Sequence, residues 1–263
     1  MKVHSLRIVW LAVGLTSLSV PHLVRADNRA PFCKPQESGT SCAVKIINSN
    51  NAALLPVAVH LLKGEPKRSP DTAFNLGLLH MVGKGVKKDE SQAAALFEEA
   101  ANLGHSQAAL NLAQLNMAGV PRYDVTAALR WFRVAADGGN LVAAHNLGLI
   151  LLEGTLAPRD IASGIKYSEF AARAGHEGAA FNLGQLYLYG KGVRTDYSLA
   201  REWFEKAARK GHPASQAKLA LMYARGLGVQ QDQAMFKQWL LKAARGGDEN
   251  AMAAAKSMNL PIN

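Results

Sequence analysis

A short string of residues recurs along this chain at intervals of 35 or 36 positions. Its five copies are Asn75-Leu76-Gly77, Asn111-Leu112-Ala113, Asn146-Leu147-Gly148, Asn182-Leu183-Gly184 and Lys218-Leu219-Ala220. A repeat of this length is typical of solenoid proteins, in which each unit packs on its neighbours. We therefore expect at least five stacked units between about Asp71 and Asp248. Such an architecture favours binding over catalysis.

Each repeat is predicted to contain two helices. In the fourth repeat, one face of the first helix is lined by Ala180, Leu183, Gly184 and Tyr187. Their spacing of three, one and three is that of a single helical face. An aspartate recurs where the second helix should begin, and its carboxylate is expected to accept a hydrogen bond from an exposed helical N–H. These aspartates are Asp89, Asp124, Asp160, Asp196 and Asp232.

The second helix of a repeat carries an aromatic residue next to a pair of alanines. The aromatic residues are Trp131, Tyr167, Trp203 and Trp239. At a fixed helical position beside small residues, we expect them to be core rather than a ligand-stacking ladder. Each second helix then ends at a glycine expected to be left-handed; these are Gly104, Gly139, Gly175, Gly211 and Gly247. Gly184 lies inside a helix, where glycine costs about 1 kcal/mol against alanine, so a partner helix should approach closely there.

The fourth repeat carries a specific combination of motifs between Ala179 and His212. They read Ala-x-Phe-Asn-Leu-Gly-x-Leu-Tyr, then Gly-x-Gly-Val-x-x-Asp, then Ala-x-x-Trp-Phe-x-Lys-Ala-Ala-x-x-Gly-His. This pattern resembles the Sel1-like repeat family, relatives of the tetratricopeptide repeats. The second and third repeats depart from it in the turn, at Val120–Tyr123 and Thr155–Pro158. The resemblance implies an all-α fold, a right-handed α-solenoid of antiparallel helix pairs that is used for protein interaction.

The first 26 residues have the features of a secretory signal peptide. Lys2 and Arg7 precede an apolar run from Ile8 to Val20, and Val24-Arg25-Ala26 is a cleavage site of the small-x-small kind. The apolar run falls short of the roughly 20 residues that span a bilayer, which makes an uncleaved anchor helix the weaker interpretation. We expect cleavage after Ala26 and a periplasmic or, alternatively, a secreted protein with no membrane span in the mature chain.

The segment before the repeats, residues 27–68, is predicted to be an irregular arm followed by a capping helix. The arm covers residues 27–44, and Cys33 and Cys42, the only cysteines, are expected to close it with a disulfide. A redox pair would more typically have two intervening residues, and a two-ligand metal site is less likely still. An apolar helix is predicted over 51–63, with Pro56 near its first turn. The repeats then occupy residues 69–248, and residues 249–263 form a capping helix and tail.

Positive charge is concentrated in the last two repeats. The formal net charge is +10, and from Lys191 to Arg245 eleven basic residues face four acidic ones. This field favours an acidic protein domain, an anionic polysaccharide or lipid head groups as partner, whereas the expected compartment disfavours nucleic acid, and we predict no nucleic-acid partner. The alternative is a solvated face that keeps the protein soluble.

Several motifs that could carry chemistry are better explained by the repeat. His105, His176 and His212 share one repeat position, so helix spacings of about 8–10 Å keep them from converging on one metal at about 2 Å. Helices flank every Gly-x-Gly turn, which disfavours a phosphate loop. Two Ser-x-x-Lys pairs, Ser163/Lys166 and Ser215/Lys218, have no accompanying Lys-Thr-Gly element. We therefore predict no catalytic residue, no metal and no cofactor.

The predicted binding surface is the concave face of the first helices, where tetratricopeptide relatives bind peptides. Its candidate residues are Phe74, Leu78, Met81, Leu110, Gln114, Met117, His145, Leu149, Leu152, Phe181, Gln185, Tyr189, Leu221 and Arg225. The leading hypothesis is a periplasmic adaptor or regulator that binds another envelope protein, such as a sensor kinase or an assembly complex. The alternatives are a structural scaffold for polysaccharide export or flagellar motor assembly, and an enzyme acting on β-lactams or cell wall.

Overall fold

The computed structural model describes Cys33 and residues 37–49, 51–64 and 68–262. Within them the chain forms thirteen α-helices, one 3₁₀ turn and no β-strand, and none of these helices is long and apolar enough to cross a membrane. The chain divides into two compact units, one ending at Leu96 and the other beginning at Phe97. The predicted signal peptide, residues 1–26, lies outside the described residues.

The helices have closely similar lengths through the repeat region. They are α1 Gly39–Asn48, α2 Leu55–Lys63, α3 Pro70–Val82, α4 Glu90–Asn102, α5 Ser106–Ala118, α6 Val125–Asp137, α7 Leu141–Glu153, α8 Ile161–Arg173, α9 Glu177–Tyr189, α10 Tyr197–Ala208, α11 Pro213–Arg225, α12 Gln233–Arg245 and α13 Glu249–Ser257. In the second unit α5 packs on α6, α7 on α8, α9 on α10 and α11 on α12, and each pair also packs on the next. The predicted all-α fold, an α-solenoid of helix pairs, is confirmed.

Among the described residues of the first unit, helix α1 lies partly in a segment that was predicted to be irregular. The irregular arm expected for residues 27–44 is wrong from Gly39 onward, because α1 starts there. Ser38 accepts a hydrogen bond from the Ser41 amide at 3.2 Å and so caps the helix, while Cys42 and Ile46 are buried one turn apart against α2. The Cys33–Cys42 disulfide is present as expected. It therefore ties down a folded helix rather than a loose arm.

The predicted apolar helix over residues 51–63 is present in two parts. A 3₁₀ turn, Ala52–Leu54, precedes α2, and Pro56 lies in the first turn of α2 as expected. Because proline has no N–H and a fixed φ, the start of a helix is where it is tolerated. The buried side chains of α2, Leu55, Ala58, Val59 and Leu62, join the core formed with α1.

The recurring aspartates cap the second helices, as predicted. Asp124 accepts a hydrogen bond from the Ala127 amide at 2.9 Å, and Asp196 accepts one from the Leu199 amide at 2.9 Å. The same contact is made by the carboxylates of Asp89, Asp160 and Asp232. All five satisfy N–H groups that the first turn of a helix leaves without a backbone partner.

Close packing between the two helices of a repeat depends on the glycine inside the first helix. A β-carbon at Gly184 would lie 2.6 Å from two ring carbons of Phe204, which is fully buried on α10. The predicted close approach of a partner helix is confirmed here. Three members of the aromatic column, Trp131, Tyr167 and Trp203, are buried core residues as predicted. The fourth, Trp239, is only partly buried and packs against the core of the last helices.

Candidate functional site

The predicted binding residues lie on the first helices of the repeats, but not all of them are accessible. Leu110 is only 4% exposed and packs inside the second unit, so it offers little surface to a partner. Leu152 is 7% exposed, and its small accessible part lines the cleft described below. Phe181 contacts the rings of Phe204 and His212, with centroid distances of 5.8 and 4.9 Å, and serves largely as packing. Tyr189 is the most exposed large apolar side chain among them, at 53%.

The remaining predicted residues are distributed over both units. Phe74, Leu78 and Met81 lie on α3 in the first unit, partly exposed. In the second unit the partly or fully exposed members are Gln114, Met117, His145, Leu149, Gln185, Leu221 and Arg225. Three of the predicted residues, Leu149, Leu152 and Gln185, line one cleft. We refer to it as the α7–α9 cleft.

The α7–α9 cleft has a volume of about 520 Å³ and lies along the first helices of the third and fourth repeats. Its lining comprises Leu149, Leu152, Glu153, Thr155, Arg159, Asn182, Gln185, Leu186, Lys191 and Gly192. Three leucines make it apolar, two amide side chains can both donate and accept hydrogen bonds, and two cations oppose one carboxylate. Its volume falls in the roughly 300–1,000 Å³ range of ligand clefts.

Arg159 connects the turns that follow α7 and α9. Its Nε donates to the carbonyl of Leu152 at 2.9 Å, and its Nη2 donates to the carbonyl of Lys191 at 2.8 Å. A β-carbon at Gly192 would lie 2.8 Å from that Nη2, and Gly192 has a φ of +87°. Glycine therefore meets two requirements here, a left-handed backbone and room for the guanidinium.

Tyr189, at the end of α9, has two lysine ammonium groups close to its ring. Lys218 Nζ donates to its hydroxyl at 3.0 Å and lies 5.6 Å from its ring centroid. Lys191 Nζ lies 5.9 Å from the same centroid. Because Lys191 also lines the α7–α9 cleft, the cleft continues into an exposed aromatic surface bearing positive charge.

The residues predicted from the sequence do not include most of the cleft lining or Lys218, and four of those left out can hydrogen-bond a ligand as donors, namely Arg159, Asn182, Lys191 and Lys218. A signal for two of them was present in the repeat itself. Lys218 occupies the position that is asparagine in the other four copies of the repeated string. Arg159 directly precedes a capping aspartate, at a position occupied by threonine and glutamine, Thr195 and Gln231, in the next two repeats.

The histidines at the repeat boundary cap the first helices of their repeats. The Nδ1 atoms of His105 and His176 accept hydrogen bonds from the amides of Ala108 and Ala179 at 3.1 and 3.2 Å. His212 Nδ1 accepts one from the Ser215 amide at 3.2 Å. Across the described part of the chain, no group of three or more His, Cys, Asp or Glu residues is placed to hold a metal ion.

The two Ser-x-x-Lys pairs are occupied by structural contacts. Ser215 is fully buried and its Oγ lies 2.9 Å from His212 Nδ1, while Lys218 reaches Tyr189 instead. The amide of Ser163 donates to Asp160 at 3.0 Å in the first turn of α8. The contacts of Ser163 and Ser215 are those of residues in the first turn of a helix.

Comparison with solved structures finds the same helical architecture. A Sel1 repeat protein from Oxalobacter formigenes superposes with a TM-score of 0.71 at 23% identity, over 85% of this chain and 88% of that protein. The c5321 protein, a protective antigen present in uropathogenic Escherichia coli strains that displays an SLR fold, superposes with a TM-score of 0.75 at 24% identity. That match covers 86% of this chain and 50% of c5321. No curated protein sequence matches this chain.

A family model for the Sel1 repeat matches five consecutive segments, residues 70–105, 106–140, 141–176, 178–212 and 213–248. Each segment begins within one residue of the first helix of a pair, at α3, α5, α7, α9 and α11. The repeat unit predicted from the sequence thus coincides with the helix pair of the structure and with the segment matched by the family model. Because the matched segments cover more than half of the sequence, the chain belongs to the Sel1 repeat family.

Proposed function

We propose that this chain is a periplasmic adaptor or regulator that binds another envelope protein on the face of its first helices. Sel1 repeat proteins generally mediate protein–protein interactions, and the family is typically a non-catalytic scaffold. The partner would be a protein such as the external domain of a sensor kinase or a component of an envelope assembly complex. The Cys33–Cys42 disulfide supports an oxidising compartment, in which such bonds persist.

The α7–α9 cleft is the observation that carries this proposal. It combines leucine side chains, which can receive an apolar anchor, with the amides of Asn182 and Gln185, which can pair with an extended backbone. Adjacent exposed Tyr189 adds a rigid aromatic contact of the kind enriched at protein interfaces.

Site-specific crosslinking in the intact cell tests this function. A photoreactive residue replaces Gln185, which lines the cleft, and in a matched control it replaces Glu202, which is exposed on α10. We expect Gln185 to capture one discrete envelope protein and Glu202 to give no such adduct. Identical adducts from both positions, or none from either, would contradict binding at this face.

Export has its own test. If the chain is processed as proposed, the protein released by osmotic shock begins at Asp27. Retention of the first 26 residues, or recovery only in the cytoplasmic fraction, would contradict the proposed location.

A further inference from the structure

We propose that the α7–α9 cleft, together with Tyr189 and Lys218, is a site for an acidic, leucine-containing peptide segment of the partner protein. The apolar side chain lies against Leu149 and Leu152, and the acidic side chains reach Arg159, Lys191 and Lys218. This inference rests on the proposed function, because its occupant is a segment of the partner.

The cations of this surface are available to an anion. In the described part of the chain, the ion pairs do not include Arg159, Lys191 or Lys218. Glu153 is the one acidic residue that lines the cleft, against Arg159 and Lys191 in the lining and Lys218 beside it. The local net charge is therefore positive, and a carboxylate that enters the cleft would neutralise part of it.

The guanidinium of Arg159 is held in place before any ligand binds. Two of its N–H groups are bound to carbonyls of the third and fourth repeats, and a guanidinium has five. The remaining donors can meet a carboxylate with little further loss of side-chain freedom. Lys218 is held in a similar way by the hydroxyl of Tyr189.

The fold does not need a cation at either position. In the last repeat, Gln231 Nε2 donates to the carbonyl of Ala224 at 2.8 Å, the contact that corresponds to the one between Arg159 and Leu152. An uncharged amide therefore closes the same turn. Asparagine occupies the position of Lys218 in the other four repeats. Lys218 is therefore a departure from the repeat, whereas the position of Arg159 varies and also holds a lysine, Lys88, in the first repeat. The repeat fold thus fixes neither positive charge.

A peptide fits this lining better than a polysaccharide does. Leu149, Leu152 and Leu186 form an apolar part that a side chain of a peptide can fill. Asn182 and Gln185 offer a donor and an acceptor each, which matches the alternating N–H and C=O groups of an extended chain. An anionic polysaccharide could satisfy the cations but would leave the leucines covered by hydroxyl groups.

Fluorescence anisotropy with defined probes tests the inference on the purified chain. The first probe is a labelled eight-residue peptide of alternating leucine and glutamate. A second has glutamine in place of each glutamate, a third has serine in place of each leucine, and a polygalacturonate oligomer serves as the polysaccharide. We expect the first peptide to bind and each altered peptide to bind about tenfold more weakly or worse, which corresponds to one charge-assisted hydrogen bond or one buried apolar side chain.

Variants that keep the residue types of the repeat identify the site. Arg159→Gln and Lys218→Asn introduce residues found at the same positions in other repeats, so the thermal unfolding curves should match that of the wild type. The double variant should lose at least about tenfold in affinity for the acidic peptide. Lys237→Asn, which removes one exposed lysine on α12, is the control and should change affinity little.

Each outcome of these experiments supports or overturns the proposed acidic-peptide site. Equal binding of the glutamate and glutamine peptides, no binding of the acidic peptide at millimolar concentration, or full affinity in the double variant would overturn the inference. Tighter binding of polygalacturonate, lost in the double variant, would assign the cations to a polysaccharide. If Gln185 still captures its envelope protein in the double variant, the acidic site is wrong but the proposed function stands. Failure of capture at Gln185 in the wild type would instead count against the function itself.

Discussion

His145 on α7 stacks against His176 at the start of α9, with ring centroids 4.4 Å apart and ring planes 25° apart. Burial, together with a smaller contribution from nearby His176, lowers the pKa of His145 to about 4. Burial also lowers the pKa of His176, whose Nδ1 must stay unprotonated to accept the Ala179 amide. The stacked pair is therefore stable only while both rings are neutral.

This pair should make the folded state sensitive to acid. The pKa of His145 is lower in the folded chain than its ordinary value of 6.5, so above pH 6.5 both states are neutral and the residue has no effect. Below that pH the unfolded chain takes up the proton first, and stability falls until about pH 4. From pH 7 to pH 5 the loss attributable to His145 is about 2 kcal/mol.

Replacing His145 with phenylalanine should flatten this dependence. Phenylalanine is the residue at the same repeat position in Phe74 and Phe181, and the change also removes the buried Nδ1 that has no hydrogen-bond partner. We expect urea unfolding to show a smaller loss of stability between pH 7 and pH 5 for His145→Phe than for the wild type. Equal losses would show that His145 is not protonated preferentially in the unfolded chain.

The histidine caps should be replaceable by asparagine but not by alanine. His105 accepts the amide of Ala108, and Asn140 makes the equivalent contact to Ala143 at 3.0 Å in the next repeat. His105→Ala leaves that N–H without its cap and should lower the free energy of unfolding by about 1 kcal/mol, whereas His105→Asn should cost only a few tenths. Chemical denaturation at pH 7 measures both, and equal costs would mean that the imidazole matters for something other than capping.

Gly184 should tolerate alanine less well than Gly178 of the same helix. In Gly184→Ala the new methyl group would lie 2.6 Å from the buried ring of Phe204, and overpacking of this kind costs roughly 1–3 kcal/mol. Gly178→Ala, in the first turn of the same α9, meets nothing nearer than 3.3 Å, at His176 Cε1, so it should be close to neutral or stabilising. Thermal unfolding of the two variants should separate them clearly, and similar melting temperatures would refute the close contact.

Reduction of the disulfide should destabilise the first unit. The bond between Cys33 and Cys42 closes a loop with a sequence separation of 9 and anchors α1 through buried Cys42. On the chain-entropy model the bond contributes roughly 2–3 kcal/mol. Hydrogen exchange of the α1 amides should therefore accelerate when a reductant is added. The double variant Cys33→Ser/Cys42→Ser should exchange rapidly from the start and show no further response to the reductant.

The repeat frame could be predicted from the sequence because its signals are local. Asp196 caps a helix whose N–H groups are only three residues away, and Gly211, with a left-handed φ of 94°, lies in the turn that follows the end of that helix at Ala208. Helix α1 could not be predicted in this way, because the contacts that stabilise it are not local. Its capping Ser38 stands among proline, glycine and serine residues that are typical of loops, and the buried contacts of Cys42 and Ile46 with α2 are not visible in the local pattern.

The sequence by itself determined the period, the helix pairs, the caps and the residues that pack between helices, since all of these follow from spacing along one or two turns of chain. Only the tertiary structure decided which side chains share a surface. Arg159 bonds to the carbonyl of Lys191, 32 residues away, and Lys218 meets Tyr189, 29 residues away, because stacking places successive repeats side by side. The same packing buried Leu110 and Leu152 and left Tyr189 exposed, since burial depends on what the neighbouring repeat covers.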